Sequence, residues 1–179
     1  MKSLLVVPID PAPLESFGML KRELEQSFGL PVSLVSASTI DTTPAYDASR
    51  NQYYSSFLLS ALVKQYPTHE GKLLGITKTD LYVPVLTYVF GEAQLNGMAA
   101  IVSSYRLDDA LYGLPPNRGI FEDRLMKEAV HELGHTFGLL HCRQFDCVMH
   151  SSTAVEEIDL KSVHFCPLCR SALPNLRKV

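Results

Sequence analysis

The stretch HELGHTFGLLH, residues 131–141, carries the pattern on which the fold and the chemistry of this sequence depend. His131 and His135 are four residues apart, so on a helix both imidazoles lie on one face and reach a single cation. Gly138 can take the left-handed conformation that ends a helix and reverses the chain. His141, three residues later, then presents a third nitrogen to the same ion. The spacing therefore predicts a three-histidine metal site at the end of a helix.

Glu132 places a carboxylate beside this predicted site. Three neutral histidines leave one position of a tetrahedral zinc ion open, an arrangement that is typical of catalytic sites. Such an ion lowers the pKa of bound water to about 7 and polarises a peptide carbonyl, and Glu132 is then the general base. Two alternatives are a purely structural three-histidine zinc and an ordinary helix with unrelated histidines. Neither gives Glu132 a role, so the pattern favours hydrolysis of peptide bonds.

All four cysteines lie in the last forty residues, as the pairs Cys142/Cys147 and Cys166/Cys169. Two close pairs separated by a loop are typical of a closed, four-thiolate structural zinc site. Two disulfides and four free thiols are the alternatives. Adjacent side chains in extended backbone point to opposite faces, so His141 and Cys142 are expected to serve different ions. A rival arrangement puts Cys142 on the three-histidine ion. The sequence therefore predicts two zinc ions per chain, one catalytic and one structural.

Size and composition predict a single globular domain. The chain has 179 residues, 46% of them hydrophobic, and a net charge of −3. That charge argues against nucleic acid and anionic membranes as partners. The apolar start of the chain is broken by Pro8 and Asp10, which favours a buried first strand over a secretory signal. We therefore expect a monomeric cytoplasmic protein whose partner is a peptide or protein substrate.

Hydrophobic periodicity predicts an α/β (α+β) fold with a mixed, mostly parallel sheet. A strand, a helix and a second strand over the first 35 residues indicate a right-handed βαβ unit. The fourth and fifth strands are joined by a short link and are expected to pair antiparallel, with the fourth at the sheet edge. There it could bind an extended peptide by β-augmentation. The predicted strands are 3–9, 32–35, 73–77, 85–90 and 98–104, and the predicted helices are 14–28, 48–66 and 121–137.

The sequence resembles the archaemetzincins, a family of metzincin-type zinc peptidases. The resemblance rests on the motif at 131–142, on Cys147-Val148-Met149, on Cys166-x-x-Cys169, and on the segments 89–93 and 103–107. It implies a metzincin-like fold with an N-terminal subdomain of about residues 1–138 and a zinc-binding C-terminal subdomain of about 139–179. It also implies that Met149 is the methionine of the turn beneath the catalytic zinc.

Two other functions fit parts of the pattern. A peptidase-like protein could keep the zinc ligands and bind peptides with little or no turnover. A nucleic-acid-binding zinc module is suggested by the cysteines together with Lys161, Arg170, Arg177 and Lys178, although the net negative charge argues against it. No role is assigned to His69, His150 and His164, because none has a partner at ligand spacing.

Overall fold

The computed structural model describes residues 3–10, 17–36 and 40–174. Within these residues the chain forms eight strands, five α-helices and three short 3₁₀ turns. The strands are β1 (Leu4–Pro8), β2 (Val32–Leu34), β3 (Tyr46–Asp47), β4 (Gln52–Tyr54), β5 (Lys72–Thr77), β6 (Leu81–Tyr82), β7 (Gly91–Ala93) and β8 (Ala99–Ser103). The helices are α1 (Phe17–Phe28), α2 (Ser55–Gln65), α3 (Arg118–Thr136), α4 (Val155–Leu160) and α5 (Pro167–Ala172). The 3₁₀ turns are Thr43–Ala45, Tyr105–Leu107 and Asp109–Tyr112.

The main sheet has the order β2-β1-β5-β8-β7. Its first four strands are parallel and β7 is antiparallel to β8, with Gly91 opposite Val102. The strand–helix–strand unit of β1, α1 and β2 agrees with the sequence-based expectation. The predicted beginning of the first helix, at residue 14, lies outside the described residues. The mixed, mostly parallel sheet is confirmed.

The two faces of the sheet bury alternate residues of the same strands. Leu74 and Ile76 of β5 face α1 and α3, whereas Leu73 faces α2. This alternation follows from the two-residue period of a strand, and it produces three layers with the sheet in the middle. Of the described helices, none combines the length and apolar composition needed to cross a membrane.

A second, small sheet replaces the beginning of the predicted second helix. We expected a helix from residue 48, but β3 and β4 form an antiparallel hairpin and the helix starts at Ser55. Asp47 accepts hydrogen bonds from the amide and hydroxyl of Ser49, and Asn51 has a left-handed φ of 54°. These local turn interactions compete with a helix, so the prediction for residues 48–54 was wrong.

The predicted strand at 85–90 is also wrong, because the edge strand of the main sheet is β7. Val89 makes one antiparallel bridge to Leu81, but Val85 is 89% exposed. The carbonyls of Leu86 and Thr87 accept hydrogen bonds from the Arg50 guanidinium at 2.8 and 2.9 Å. A side chain therefore takes the backbone acceptors that a neighbouring strand would use. An antiparallel neighbour for β8 was expected, but the strand that pairs with it is Gly91–Ala93, which the prediction had placed in the link between the two strands.

The C-terminal segment packs on α3 without adding a strand among its described residues, 139–174. Cys147, Val148, Met149 and Ile158 are at most 1% exposed and belong to the same core cluster as Leu133 of α3. A continuous core thus joins this segment to the helix that carries the histidine motif.

Candidate active site

Helix α3 supplies the first two histidines and begins three residues earlier than predicted. The side chain of Asn117 caps it by accepting a hydrogen bond from the Ile120 amide at 3.2 Å. An asparagine at this position satisfies one of the amides that a helix start leaves free. The helix ends at Thr136, so His131 and His135 lie in its last two turns, as the sequence predicted.

A glycine turn brings the third histidine back to the helix. Gly138 has a φ of 90°, and its amide donates to the carbonyl of His135 at 2.9 Å. The Leu139 amide donates to Gly134 at 3.2 Å, which closes the helix end. The ring of His141 then lies with its centroid 4.9 Å from that of His135. Each of these contacts spans only a few residues, so the turn itself is specified by local sequence.

The ring nitrogens of the three histidines converge. Their ligand atoms all lie within 4.8 Å of one another, and Nε2 of His131 is 3.1 Å from Nε2 of His135. Nδ1 of His131 faces the carbonyl of Val148 at 2.8 Å, and Nδ1 of His135 faces that of Leu139 at 2.7 Å. Carbonyls only accept, so both Nδ1 atoms carry the proton and both Nε2 atoms present lone pairs. Two lone pairs at this separation repel each other unless a cation lies between them.

This donor set fits a zinc ion. Ligands about 2.0–2.1 Å from a tetrahedral zinc are themselves about 3.3–3.4 Å apart, close to the observed nitrogen separation. Burial lowers the pKa of His131, His135 and His141, so the imidazoles are neutral at pH 7, the form that binds a metal. His141 is the exposed member of the cluster, which leaves the site open on that side.

Glu132 is buried beside this cluster and faces the first residue of the edge strand. A Cβ at Gly91 would lie 2.6 Å from Glu132 Cγ and 2.8 Å from its Oε1, so the strand can approach only without a side chain. The next residue, Glu92, accepts hydrogen bonds from the hydroxyls of Ser55 and Ser56 at the start of α2. The edge strand is thereby fixed against both the helix of the site and α2.

The electrostatic surroundings of Glu132 favour the protonated form of its carboxyl group. Burial raises its pKa well above the ordinary value, and the neighbouring carboxylates of Glu128 and Glu92 raise it further. The buried ammonium of Lys161 acts in the opposite direction. Burial is the largest of these effects, so this carboxylate accepts a proton more readily than one in water.

A cavity of about 440 Å³ opens onto the histidines and Glu132. The edge strand and the irregular segment before it form one wall, α3 forms another, and the chain after Met149 forms a third. The hydroxyl of Tyr88 donates to the carbonyl of Thr153 at 2.6 Å and so joins two of these walls. The lining residues are Leu86, Thr87, Tyr88, Val89, Phe90, Gly91, Ala93, Glu128, His131, Glu132, His135, His141, Ser151, Ser152 and Thr153.

The four cysteines form a second cluster, with sulfur atoms within 4.8 Å of one another. All four are free thiols, and the sulfurs of Cys142 and Cys166 are 3.8 Å apart, far beyond the roughly 2.05 Å of a disulfide bond. Cys147 accepts a hydrogen bond from the Cys166 amide, and Cys166 accepts one from the Cys169 amide. The hydrogen bond from the Cys169 amide is the main cause that lowers the pKa of Cys166 to about 7, whereas burial raises the pKa of Cys147. The arrangement fits a four-thiolate metal site.

The two clusters are separate but covalently adjacent, because His141 belongs to one and Cys142 to the other. The Cys142 amide donates to the Met149 carbonyl at 2.8 Å, which ties the cysteine segment to the residue expected beneath the histidines. Met149 is fully buried, and its sulfur would lie 2.5 Å from a Cβ at Gly134, between the two helical histidines. The cysteine segment therefore supports the histidine site from below.

Several residues around the cavity were not predicted from the sequence. Glu128, Ser152 and Gly91 line it, and Lys161 forms a buried ion pair with Glu128. The position of Glu128 was available as a signal, because it lies one helical turn before Glu132 on the same face. The other three depend on chain segments that meet only in the folded protein.

Comparisons with known proteins agree with this architecture. The sequence profile of peptidase family M54 matches residues 22–175. An archaemetzincin from Methanocaldococcus jannaschii is 43% identical over 131 residues, which are 73% of this chain and 71% of that protein. An archaemetzincin from Pyrococcus furiosus is 37% identical over 171 residues, covering 93% and 89% of the two chains.

Solved structures show the same fold. The crystal structure of the Methanopyrus kandleri archaemetzincin matches with a TM-score of 0.84 and 35% identity, over 95% of this chain and 92% of that one. A zinc-dependent peptidase from Methanocorpusculum labreanum matches with a TM-score of 0.87 and 29% identity, over 96% and 100% of the chains. The resemblance seen in the motifs is therefore confirmed across nearly the whole length. This chain belongs to peptidase family M54, the archaemetzincins, and is an enzyme of the metalloprotease class.

Proposed function

We propose that the protein hydrolyses peptide bonds with a zinc ion held by His131, His135 and His141 and with Glu132 as general base. The observation that carries this proposal is the 3.1 Å distance between the Nε2 atoms of His131 and His135. The Nδ1 atom on the other side of each ring faces a carbonyl, so both Nε2 atoms present lone pairs. Two acceptor nitrogens oriented in this way can bind one cation between them. Zinc bound there supplies a Lewis acid and a coordinated water whose pKa is lowered to about 7.

Residues of the chain carry out the proton transfers. Glu132 takes a proton from the attacking water on its carboxylate and later gives it to the leaving amine. Its burial and its neighbouring carboxylates support this role, because they favour the protonated intermediate form. Gly91 allows the edge strand to lie directly against Glu132, which keeps the carboxylate in place.

The edge strand β7 is the proposed binding surface for the substrate backbone. It is the last strand of the main sheet, and among the described residues no strand pairs with its outer edge. An extended peptide can add to such an edge through backbone hydrogen bonds, and here it would lie along the cavity that contains Glu132. This proposal replaces the segment 85–90, which the sequence had favoured for the same role.

The four cysteines are proposed to hold a second, structural zinc. Cys142, Cys147, Cys166 and Cys169 fill all four tetrahedral positions, so this ion would have no place for a substrate. Its role would be to fold a C-terminal subdomain of about residues 139–179 against an N-terminal subdomain of about 1–138. Free, clustered thiols also support a reducing, cytoplasmic location for what we propose is a monomer.

A comparison of wild type with Glu132→Ala at equal zinc content tests the proposal. We expect two zinc ions per chain in both proteins, and a fall in peptide cleavage of about 10²- to 10⁴-fold in the variant. Mass spectrometry of products from a broad peptide library measures the cleavage. Equal cleavage of the library by both proteins would show that Glu132 is not the general base.

The second candidate is a zinc protein that binds peptides with little or no turnover. The hydrogen bond between Tyr88 and Thr153 favours it, because this contact spans the cavity that a peptide has to enter. This candidate is supported if the library is cut by neither protein while the zinc content is complete and peptides still bind to Glu132→Ala.

A further inference from the structure

Two polar side chains outside the proposed catalytic set line the same cavity as the histidines. Glu128 is on α3, one turn before Glu132 and on the same face. Ser152 is on the opposite wall, in the segment that follows Met149. A group bound beside the reacting bond and between these walls would lie next to both side chains.

The charge of Glu128 is compensated, but the hydrogen-bond acceptor sites of its carboxylate are only partly used. It is 3% exposed, and the ammonium of Lys161, whose side chain is 0% exposed, lies 2.8 Å from its Oε1. Apart from this ion pair, no donor within the described chain reaches Oε1, and an ionised carboxylate has about four acceptor sites. Lys161 also donates to the carbonyl of His150 at 3.2 Å. The pair is therefore neutral overall and keeps free acceptor capacity on the carboxylate.

Ser152 has a buried hydroxyl with no hydrogen-bond partner in the part of the chain that the structure describes. A serine hydroxyl both donates and accepts, and it can turn about one side-chain torsion. Buried polar atoms without partners are uncommon in folded proteins because their lost hydration is not replaced. A hydroxyl without a partner and a carboxylate with unused acceptor sites, on the walls of one cavity, indicate that a polar group of a ligand completes the set.

We propose that Glu128 and Ser152 form a subsite for a neutral substrate side chain that both donates and accepts, namely the primary amide of glutamine or asparagine. The amide N–H groups donate to the Glu128 carboxylate, and the amide carbonyl accepts from the Ser152 hydroxyl. The proposal names a substrate class for the active site and so rests on the proposed peptidase function.

The charge of Lys161 selects the amide over a cation. A lysine or arginine side chain in this subsite would add a second positive charge beside a carboxylate that is already paired, in a buried place where uncompensated charge is costly. An apolar side chain would leave the Ser152 hydroxyl without a partner and the remaining acceptor sites of Glu128 unused. A neutral amide avoids both penalties, because it adds hydrogen bonds and no net charge.

Peptide hydroxamates, which chelate zinc and are not cleaved, test the subsite without catalysis. Three compounds differ only in carrying a glutamine, leucine or lysine side chain next to the chelating group. One series has this side chain on the N-terminal side of the chelating group and a second has it on the C-terminal side. Titration calorimetry with the zinc-loaded protein measures each Kd. We expect the glutamine compound to bind about tenfold or more tightly than the other two in one of the series.

Ser152→Ala and its neighbour Ser151→Ala form a matched pair. Ser151 also lines the cavity but is exposed, so its substitution leaves the ratio of glutamine to leucine affinities as in wild type. Ser152→Ala is expected to reduce that ratio by about threefold to tenfold. Equal loss in both variants, or no preference for glutamine in wild type, would overturn the subsite.

Lys161→Met tests the charge argument in the same assay. It leaves Glu128 uncompensated, so the preference should change from the glutamine compound to the lysine compound by about tenfold. Continued preference for glutamine in a folded Lys161→Met protein contradicts the proposal; if this variant does not fold, the serine pair decides. Failure of every hydroxamate to bind zinc-loaded wild type would instead refute the proposed catalytic site, an outcome distinct from binding without side-chain preference.

Discussion

The histidine and cysteine clusters lie side by side in the chain but differ in the backbone groups that surround them. In the histidine cluster, carbonyls hold the Nδ1 atoms of His131 and His135, the imidazoles are neutral, and His141 is exposed next to a cavity. In the cysteine cluster, amides point at the sulfurs of Cys147 and Cys166, and none of the four residues is exposed. A carbonyl that accepts from Nδ1 keeps the imidazole neutral, with the lone pair of Nε2 free for a metal. An amide that donates to a sulfur stabilises the thiolate form of a cysteine. The surrounding backbone therefore agrees with the proposed division into a catalytic site and a structural site.

The largest effect is expected from removing one thiolate from the cysteine cluster. Cys166→Ser removes one of four thiolates, and structural zinc in small modules contributes about 10–16 kcal/mol of apparent folding free energy. We expect the variant to lose one zinc and most of the stability of its C-terminal segment. Metal analysis and thermal unfolding measure this. His135→Ala is the comparison, because it should lose the other zinc while keeping most of the fold; equal melting of both variants would contradict the division of roles.

Gly91→Ala should damage the reactive centre alone. The new Cβ would lie 2.6 Å from both Glu132 Cγ and the carbonyl oxygen of Ile101, so Glu132 or the edge strand beside it has to move. A misplacement of about 1 Å can lower a rate by about 10²-fold, and we expect kcat/KM to fall by that order with unchanged zinc content. Gly18→Ala is the control, since a Cβ there has no neighbour within 4 Å. Wild-type kcat/KM in Gly91→Ala would show that the edge strand does not position Glu132.

Cys142→Ala tests whether the two clusters support each other. We expect it to lower zinc affinity at the histidine cluster by about 10- to 100-fold as well as emptying the cysteine cluster, because His141 is its neighbour. The Cys142 amide also holds the carbonyl of Met149. Zinc titration of the variant, followed with a competing chelator, measures both sites. Full affinity at the histidines would mean that α3 and Gly138 alone place His141.

The smallest effect is expected far from both clusters. Asn117→Ala removes the side-chain cap of α3, which should cost about 1 kcal/mol of stability. Denaturant unfolding measures that loss, and kcat/KM should be unchanged because the histidines are at the other end of the helix. A large fall in activity would show that the capped end influences the site through the helix.

Parts of the site were predictable because their geometry is local. His131, His135, Gly138 and His141 are related by helix periodicity and one turn, and the cysteine pairs by short loops. The edge strand was misplaced because Arg50, far away in sequence, takes the carbonyls of residues 86 and 87. The early start predicted for α2 failed because periodicity alone does not detect a turn made by side chains.

The sequence by itself identified the family and predicted the proposed ligands and the proposed base, since these depend on residue types at fixed short spacings along one helix and its turn. Only the tertiary structure decided which strand borders the site, that Gly91 has to lack a side chain, and that Glu128 is paired with a lysine 33 residues later. The physical reason is that these features depend on contacts between distant segments. Their distances are set by packing of the whole chain and not by local backbone geometry.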